Sequence, residues 1–277
     1  MSRSRALAGV LLATVVTTAL LVAPARAGAA PGCAVTADRP VVVLVHDLAG
    51  MPASVAPLAR RLEAAGHCTT TVGWGAIPLL AALAPLGPVL SSLPGGLASM
   101  ETSAAEVGRR IAAVAARTPA RRVDVVAVGA GSLVTLRARQ LDPHLAVRRL
   151  VSVGSLWEGT NLLGLGDLEQ LSRDAGTYDL VLGVEKLLMD GVCASCREFI
   201  KGSDFLRGLR AAGLTLPGLA QVDIVSTRDG LVVPWTSGRR PGVTTLVVQH
   251  RAPSSSVSHF ALPRDVDVQD LVLGALR

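Results

Sequence analysis

Val41-Val42-Val43-Leu44-Val45 is a continuous apolar run of mostly β-branched side chains. A strand with one wet face alternates apolar and polar residues. An unbroken run is the mark of a strand buried on both faces, as in parallel sheets covered by helices. The rest of the chain supplies the covering. A helical pattern over 54–65 ends at Gly66, and Thr69–Val72 reads as a strand. An amphipathic helix over 101–117 puts Val107, Ile111 and Val114 on one face. Val123–Val128 is a strand followed by a helix over 130–140, and Arg149–Val153 is another strand. A helix over 205–212 precedes strands at Val222–Ser226 and Thr244–Gln249, and a helix over 266–276 closes the chain. Alternating strands and helices predict an α/β fold, a mainly parallel doubly wound sheet with helices on both faces. Two stretches stand outside the alternation as insertions, 74–100, broken by Pro78, Pro85, Pro88 and Pro94, and 155–200. With 277 residues and no internal repeat, one domain is expected.

Half of the residues are hydrophobic and 17% are charged, which excludes a disordered chain or a coiled coil. The net charge of +6 is partly an end effect, because residues 1–27 hold Arg3, Arg5 and Arg26 and no acid. Arg3 and Arg5, the apolar run from Ala6 to Ala23, and Ala25-Arg26-Ala27 as a small-x-small cleavage site read as a secretory signal peptide over residues 1–27. An uncleaved anchor is the rival reading. The expected mature domain is 28–277, exported, with no further membrane span. Its small basic surplus implies no nucleic-acid partner.

Four cysteines remain, Cys33, Cys68, Cys193 and Cys196. Outside the cytoplasm an even count favours disulfides, and four cysteines allow three pairings. Cys33–Cys68 with Cys193–Cys196 is the pairing expected. No histidine spacing assists a zinc site, and neither a metal nor a cofactor is expected.

In a doubly wound sheet the ligand site lies beyond the carboxyl ends of the strands, so loops 46–51, 128–131 and 226–234 matter most. There the chain resembles the secreted bacterial class 2 lipases and esterases of the α/β-hydrolase fold. Val45-His46-Asp47-Leu48-Ala49-Gly50 is similar to their HG-x-x-G oxyanion loop. Val123-Asp124-Val125-Val126-Ala127-Val128-Gly129-Ala130-Gly131 is similar to their strand and nucleophile elbow, G-H-S-x-G. Ser226-Thr227-Arg228-Asp229-Gly230-Leu231-Val232-Val233-Pro234-Trp235-Thr236-Ser237-Gly238 is similar to their acid loop, and Val257-Ser258-His259 to their histidine segment. The four cysteines also sit where these lipases carry cysteines. The resemblance implies carboxylic-ester hydrolysis, in lipid catabolism, by a nucleophile, an acid and a histidine at positions 129, 229 and 259. It implies oxyanion donors at the N–H groups of Leu48 and Ala130.

Two residues depart from that pattern. Residue 129 is glycine, so no acyl-enzyme can form there, and no G-x-S-x-G stands elsewhere. Ser132 is the alternative nucleophile, but it lies nearly one helical turn beyond the elbow, about 4.5 Å of rise. Ser152 and Ser155 follow another strand and are expected to fill its loop. Asp47 replaces the family's glycine, and a carboxylate there opposes oxyanion charge unless it faces solvent. Asp229 and His259 can persist as a structural pair, and His46 is expected to orient its loop. His67, His144 and His250 read as surface or turn residues.

Three functions follow from these residues. The favoured one is an exported lipase-like pseudoenzyme that binds lipid or another apolar small molecule. The second is an active esterase using Ser132 with Asp229 and His259. The third is an exported module whose partner is a protein. The apolar insertion 74–100 suits an acyl-chain groove or simple packing against the domain.

Overall fold

The structure, a computed structural model, describes residues 33–77, 94–161 and 165–277. Residues 1–27, expected to be a signal segment, and residues 78–93 of the first insertion lie outside the described residues.

Six strands form one sheet: β1 (Val41–Val45), β2 (Thr69–Val72), β3 (Val123–Val128), β4 (Val147–Val153), β5 (Ala220–Val225) and β6 (Thr244–Val247). Their order is β2-β1-β3-β4-β5-β6, and every neighbouring pair is parallel. All residues of β1 and β3 are buried, as central strands between two helical layers must be. The helices are α1 (Ala56–Ala64), α2 (Met100–Ala116), α3 (Ala130–Leu141), α4 (Leu165–Asp174), α5 (Tyr178–Glu198), α6 (Asp204–Ala211), α7 (Val248–Arg251) and α8 (Val266–Ala275).

The two-residue period of the strands divides the core. Val43, Val45, Val125 and Ala127 pack with Ile111 of α2, Leu133 of α3 and Leu206 of α6. Val42, Leu44, Val126 and Val128 pack on the other side with Leu58 and Leu62 of α1 and Val268 and Val272 of α8. The chain steps from β1 outward to β2, then returns to place β3 on the opposite side of β1. The crevice at such a reversal opens above the carboxyl ends of β1 and β3, between residues 46–51 and 129–131.

Several boundaries differ from the sequence reading. The first helix is preceded by a 3-10 turn, Pro52–Val55, with a proline at its start. β6 ends at Val247 because Gln249 turns toward the 226–229 loop, where it accepts from the Thr227 N–H at 2.9 Å and donates to the Ser226 hydroxyl at 3.0 Å. Ser152 lies within β4 rather than after it, beside Ala127 and Asp223 of the flanking strands. His67 is buried rather than on the surface.

The two disulfides are Cys33–Cys68 and Cys193–Cys196. The first ties the segment before β1 to the start of β2. The second spans a break inside α5, where Cys193 leaves helical geometry. Among the described residues no helix is long and apolar enough to cross a membrane.

Candidate functional site

At the end of β3 the chain reverses sharply into α3. Gly129 stands at the apex with φ +50° and ψ −124°, a backbone conformation that L side chains rarely adopt. The next turn of α3 presses on the end of β1. A Cβ at Gly131 would lie 2.4 Å from the His46 carbonyl oxygen, so only glycine permits this approach. The Ser132 side chain is fully buried, and its hydroxyl donates to the Ala127 carbonyl at 3.0 Å. It therefore faces back along β3 rather than into the crevice.

The loop after β1 is held from below. Trp74 donates its indole N–H to the His46 carbonyl at 2.8 Å and stacks on the imidazole at 5.6 Å between centroids. His46 Nδ1 lies 2.7 Å from the Asp47 carbonyl oxygen, which also accepts the Gly50 N–H at 3.0 Å. Burial lowers the His46 pKa, against the pull of its Asp47 neighbour. His46 thus positions the loop as a neutral ring.

Asp229 and His259 arrive from the loops after β5 and β6. The Ser226 hydroxyl donates to the Val257 carbonyl at 2.8 Å and links the two loops. The His259 N–H donates to the Asp229 carbonyl at 2.8 Å. Asp229 Oδ1 accepts the N–H groups of Leu231 and Val232 at 3.0 and 2.8 Å, which fixes the carboxylate. His259 Nδ1 then meets both Asp229 oxygens, at 2.8 and 2.9 Å.

Asp47 completes the cluster. Its Oδ1 accepts the N–H groups of Leu48 and Ala130, each at 2.7 Å, and its Oδ2 lies 2.9 Å from His259 Nε2. The two N–H groups that the resemblance assigns to an oxyanion thus both point at one carboxylate oxygen of the chain itself. Asp47 does not face solvent; its side chain is 17% exposed and turned inward.

The imidazole of His259 has a carboxylate oxygen at each ring nitrogen, and only the doubly protonated ring donates to both. Burial disfavours that charge, but hydrogen bonds and charges from Asp229 and Asp47 outweigh it and raise the pKa from 6.5 to about 9. In this arrangement both ring nitrogens of His259 are engaged by carboxylates of the chain itself.

A cavity of about 240 Å³ adjoins Asp47 and His259, walled by Leu48, Val55, Val128, Phe260 and Pro263, with Arg264 at its edge. Larger clefts of about 490 and 460 Å³ lie elsewhere, around the charged residues Glu158 and Lys201. Neither is lined by Asp47, Gly129, Asp229 or His259, though the second reaches Leu231 of the acid loop. Ser152 and Ser155 are buried, and neither hydroxyl bonds Asp229 or His259. The site residue whose placement the sequence reading missed is Asp47. The available signal was that a side chain is gained at 47 and lost at 129.

No protein-family model matches the chain, and no curated protein matches it. Solved structures do. Lipase B of Aspergillus fumigatus superposes with a TM-score of 0.59 at 17% identity, over 85% of this chain and 52% of that one. This chain therefore spans about half the length of that lipase. A lipase of Bacillus licheniformis in its mature form gives a TM-score of 0.59 at 13% identity, over 86% and 92% of the two chains. Its propeptide form gives 0.62 at 14%, over 90% and 52%. The parallel six-stranded sheet is accordingly that of the α/β-hydrolase fold.

Proposed function

We infer that this chain is an exported pseudoenzyme on a lipase-like α/β-hydrolase scaffold, which does not hydrolyse esters and which binds lipid or another apolar ligand. The observation that carries this reading is the position of the Asp47 carboxylate. A Cβ at Gly129 would lie 2.0 Å from Asp47 Oδ1, so the carboxylate fills the space of the nucleophile's side chain. The same group occupies both oxyanion donors and holds His259 as a cation. Nucleophile, oxyanion site and base are thereby all unavailable for acyl transfer. The apolar walls of the adjoining cavity support the ligand class, and the two disulfides are compatible with export to an oxidising compartment.

The test is hydrolysis of p-nitrophenyl butyrate and tributyrin by the purified mature chain, with fluorophosphonate labelling alongside. Turnover at the impurity background and no label are expected, because loss of a triad member costs roughly 10⁴–10⁶ in rate. Turnover that Ser132→Ala abolishes would establish the esterase reading instead.

A further inference from the structure

We propose that the crevice above β1 and β3 is a carboxylate-binding seat, at present filled by the chain's own Asp47, and that its external ligand is an aliphatic monocarboxylate whose tail lies in the adjoining cavity. This rests on the reading of the site as hydrolytically silent and gives that site a ligand class.

The donor set makes the choice of head group. The Leu48 and Ala130 N–H groups converge on one oxygen at 2.7 Å each, and His259 Nε2 addresses the second oxygen at 2.9 Å. Two acceptor oxygens on one carbon, sharing a negative charge, satisfy all three donors, and charge-assisted bonds of this kind are roughly twice as strong as neutral ones. An alcohol or an ester carbonyl offers one uncharged oxygen. It could take the N–H pair, but it brings no negative charge to match the imidazolium, so the ring would have to give up its Nε2 proton. Asp47 shows that a carboxylate fits, because one is there.

The surroundings supply room and charge. Asp47 and His259 both border the 240 Å³ cavity, so open space adjoins the Asp47 side chain. Leu48, Val55, Val128, Phe260 and Pro263 give the tail apolar walls, and Phe260 is 75% exposed at the mouth. Arg264 lines the same cavity and, among the described residues, has no ion pair, so a displaced Asp47 carboxylate finds a cation there. Asp47 thus competes with the external ligand from within the chain, and its removal strengthens binding.

The experiment is calorimetric titration of the full mature chain and its Asp47→Ala variant with sodium octanoate and with 1-octanol at pH 7. Octanoate is expected to bind Asp47→Ala at least tenfold more tightly than wild type, with no such gain for 1-octanol. Adding His259→Ala should remove the gain. Equal gains for octanoate and octanol, or no gain for octanoate in folded Asp47→Ala, would overturn the seat. If Asp47→Ala does not fold, Asp47→Gly places the glycine of the resembled loop pattern and also empties the seat, and octanoate affinity no better than wild type in that folded variant then overturns it. Failure of the silent-site reading is separate, since it shows as ester turnover by the wild-type chain whichever ligand binds.

Discussion

The Asp47 carboxylate lies where a side chain at Gly129 would stand, with Oδ1, Cγ and Oδ2 at 2.0, 2.2 and 2.5 Å from a Cβ built on residue 129. The two positions come from opposite walls of the crevice, one after β1 and one after β3. Each explains the other: a bulky residue at 129 has no room while Asp47 is seated, and Asp47 can seat only over a glycine.

Gly129→Ser alone is therefore expected to destabilise the fold by about 1–3 kcal/mol, through a strained positive φ and eviction of Asp47. It should gain little esterase activity, because Asp47 remains in the chain to compete for the Leu48 and Ala130 N–H groups and for His259. Asp47→Gly with Gly129→Ser removes the crowding, frees the Leu48 and Ala130 N–H groups and takes one carboxylate from His259. Urea melts should show the double variant more stable than Gly129→Ser, and p-nitrophenyl butyrate should reveal turnover that His259→Ala abolishes. A folded double variant without turnover would mean that the Asp229–His259 pair serves structure only.

Stability should fall as pH rises through the titration of His259. The folded pKa, about 9, lies above the ordinary 6.5, so the folded state holds the proton more tightly. The stabilisation is complete below 6.5 and disappears progressively up to about 9. For a ring only 2% exposed this shift corresponds to roughly 3 kcal/mol. His46 and His67 have lowered values, so they add stability as pH rises through 6.5 and oppose the trend only at the lower end of that window. Urea midpoints at pH 6.5, 8 and 9.5 should drop for wild type and change much less for His259→Gln. A flat wild-type profile would show that the ring is not held as a cation.

The strand frame was legible because buried parallel strands leave long β-branched runs, and β1, β2 and β3 match the bounds their residues imply. The convergence of Asp229 with His259 could be anticipated from the resemblance of the two segments together with loop order, since both loops leave the same end of the sheet. The seating of Asp47 could not. Sequence shows a gained carboxylate at 47 and a missing side chain at 129, but whether the carboxylate turns inward depends on a donor, the Ala130 N–H, 83 positions away in another loop. Isolated carboxylates usually face water, and only the convergence of two N–H groups and an imidazolium reverses that preference. The turn of Gln249 away from β6 was hidden for a similar reason. Its partners, Ser226 and Thr227, sit in another loop.

Reduction should act unequally on the two disulfides. Cys33–Cys68 closes a separation of 35 residues and Cys193–Cys196 one of 3. In the chain-entropy picture the longer loop gains about 4 kcal/mol and the shorter about 2. Paired Cys33→Ala and Cys68→Ala substitutions should therefore lower the melting temperature more than paired Cys193→Ala and Cys196→Ala. Equal losses would place the stabilisation in local packing instead.

The final prediction concerns the buried ion pair beneath the acid loop. Asp223 of β5 and Arg240 have side-chain exposures of 1% and 0%, with Nη2 to Oδ1 at 2.6 Å and Nε to Oδ2 at 3.1 Å. Arg240 also donates to the Leu214 carbonyl at 3.0 Å, and its guanidinium lies 4.1 Å from the Trp157 ring centroid. Burial already raises the Asp223 pKa even though Arg240 pulls it down. Arg240→Met fills a similar volume but leaves a carboxylate in the core without its counter-charge, a loss of about 3–5 kcal/mol. The sign with pH follows from the same group. With Arg240 gone the folded Asp223 binds its proton more tightly still, so the variant's deficit should be larger at pH 8 than at pH 5. Arg240→Met combined with Asp223→Asn should recover much of the loss, because no charge then remains buried. Urea melts of the three variants at both pH values check this; a deficit that does not shrink at pH 5, in a variant that the second change fails to rescue, would mean that the guanidinium's packing on Trp157 matters more than its charge.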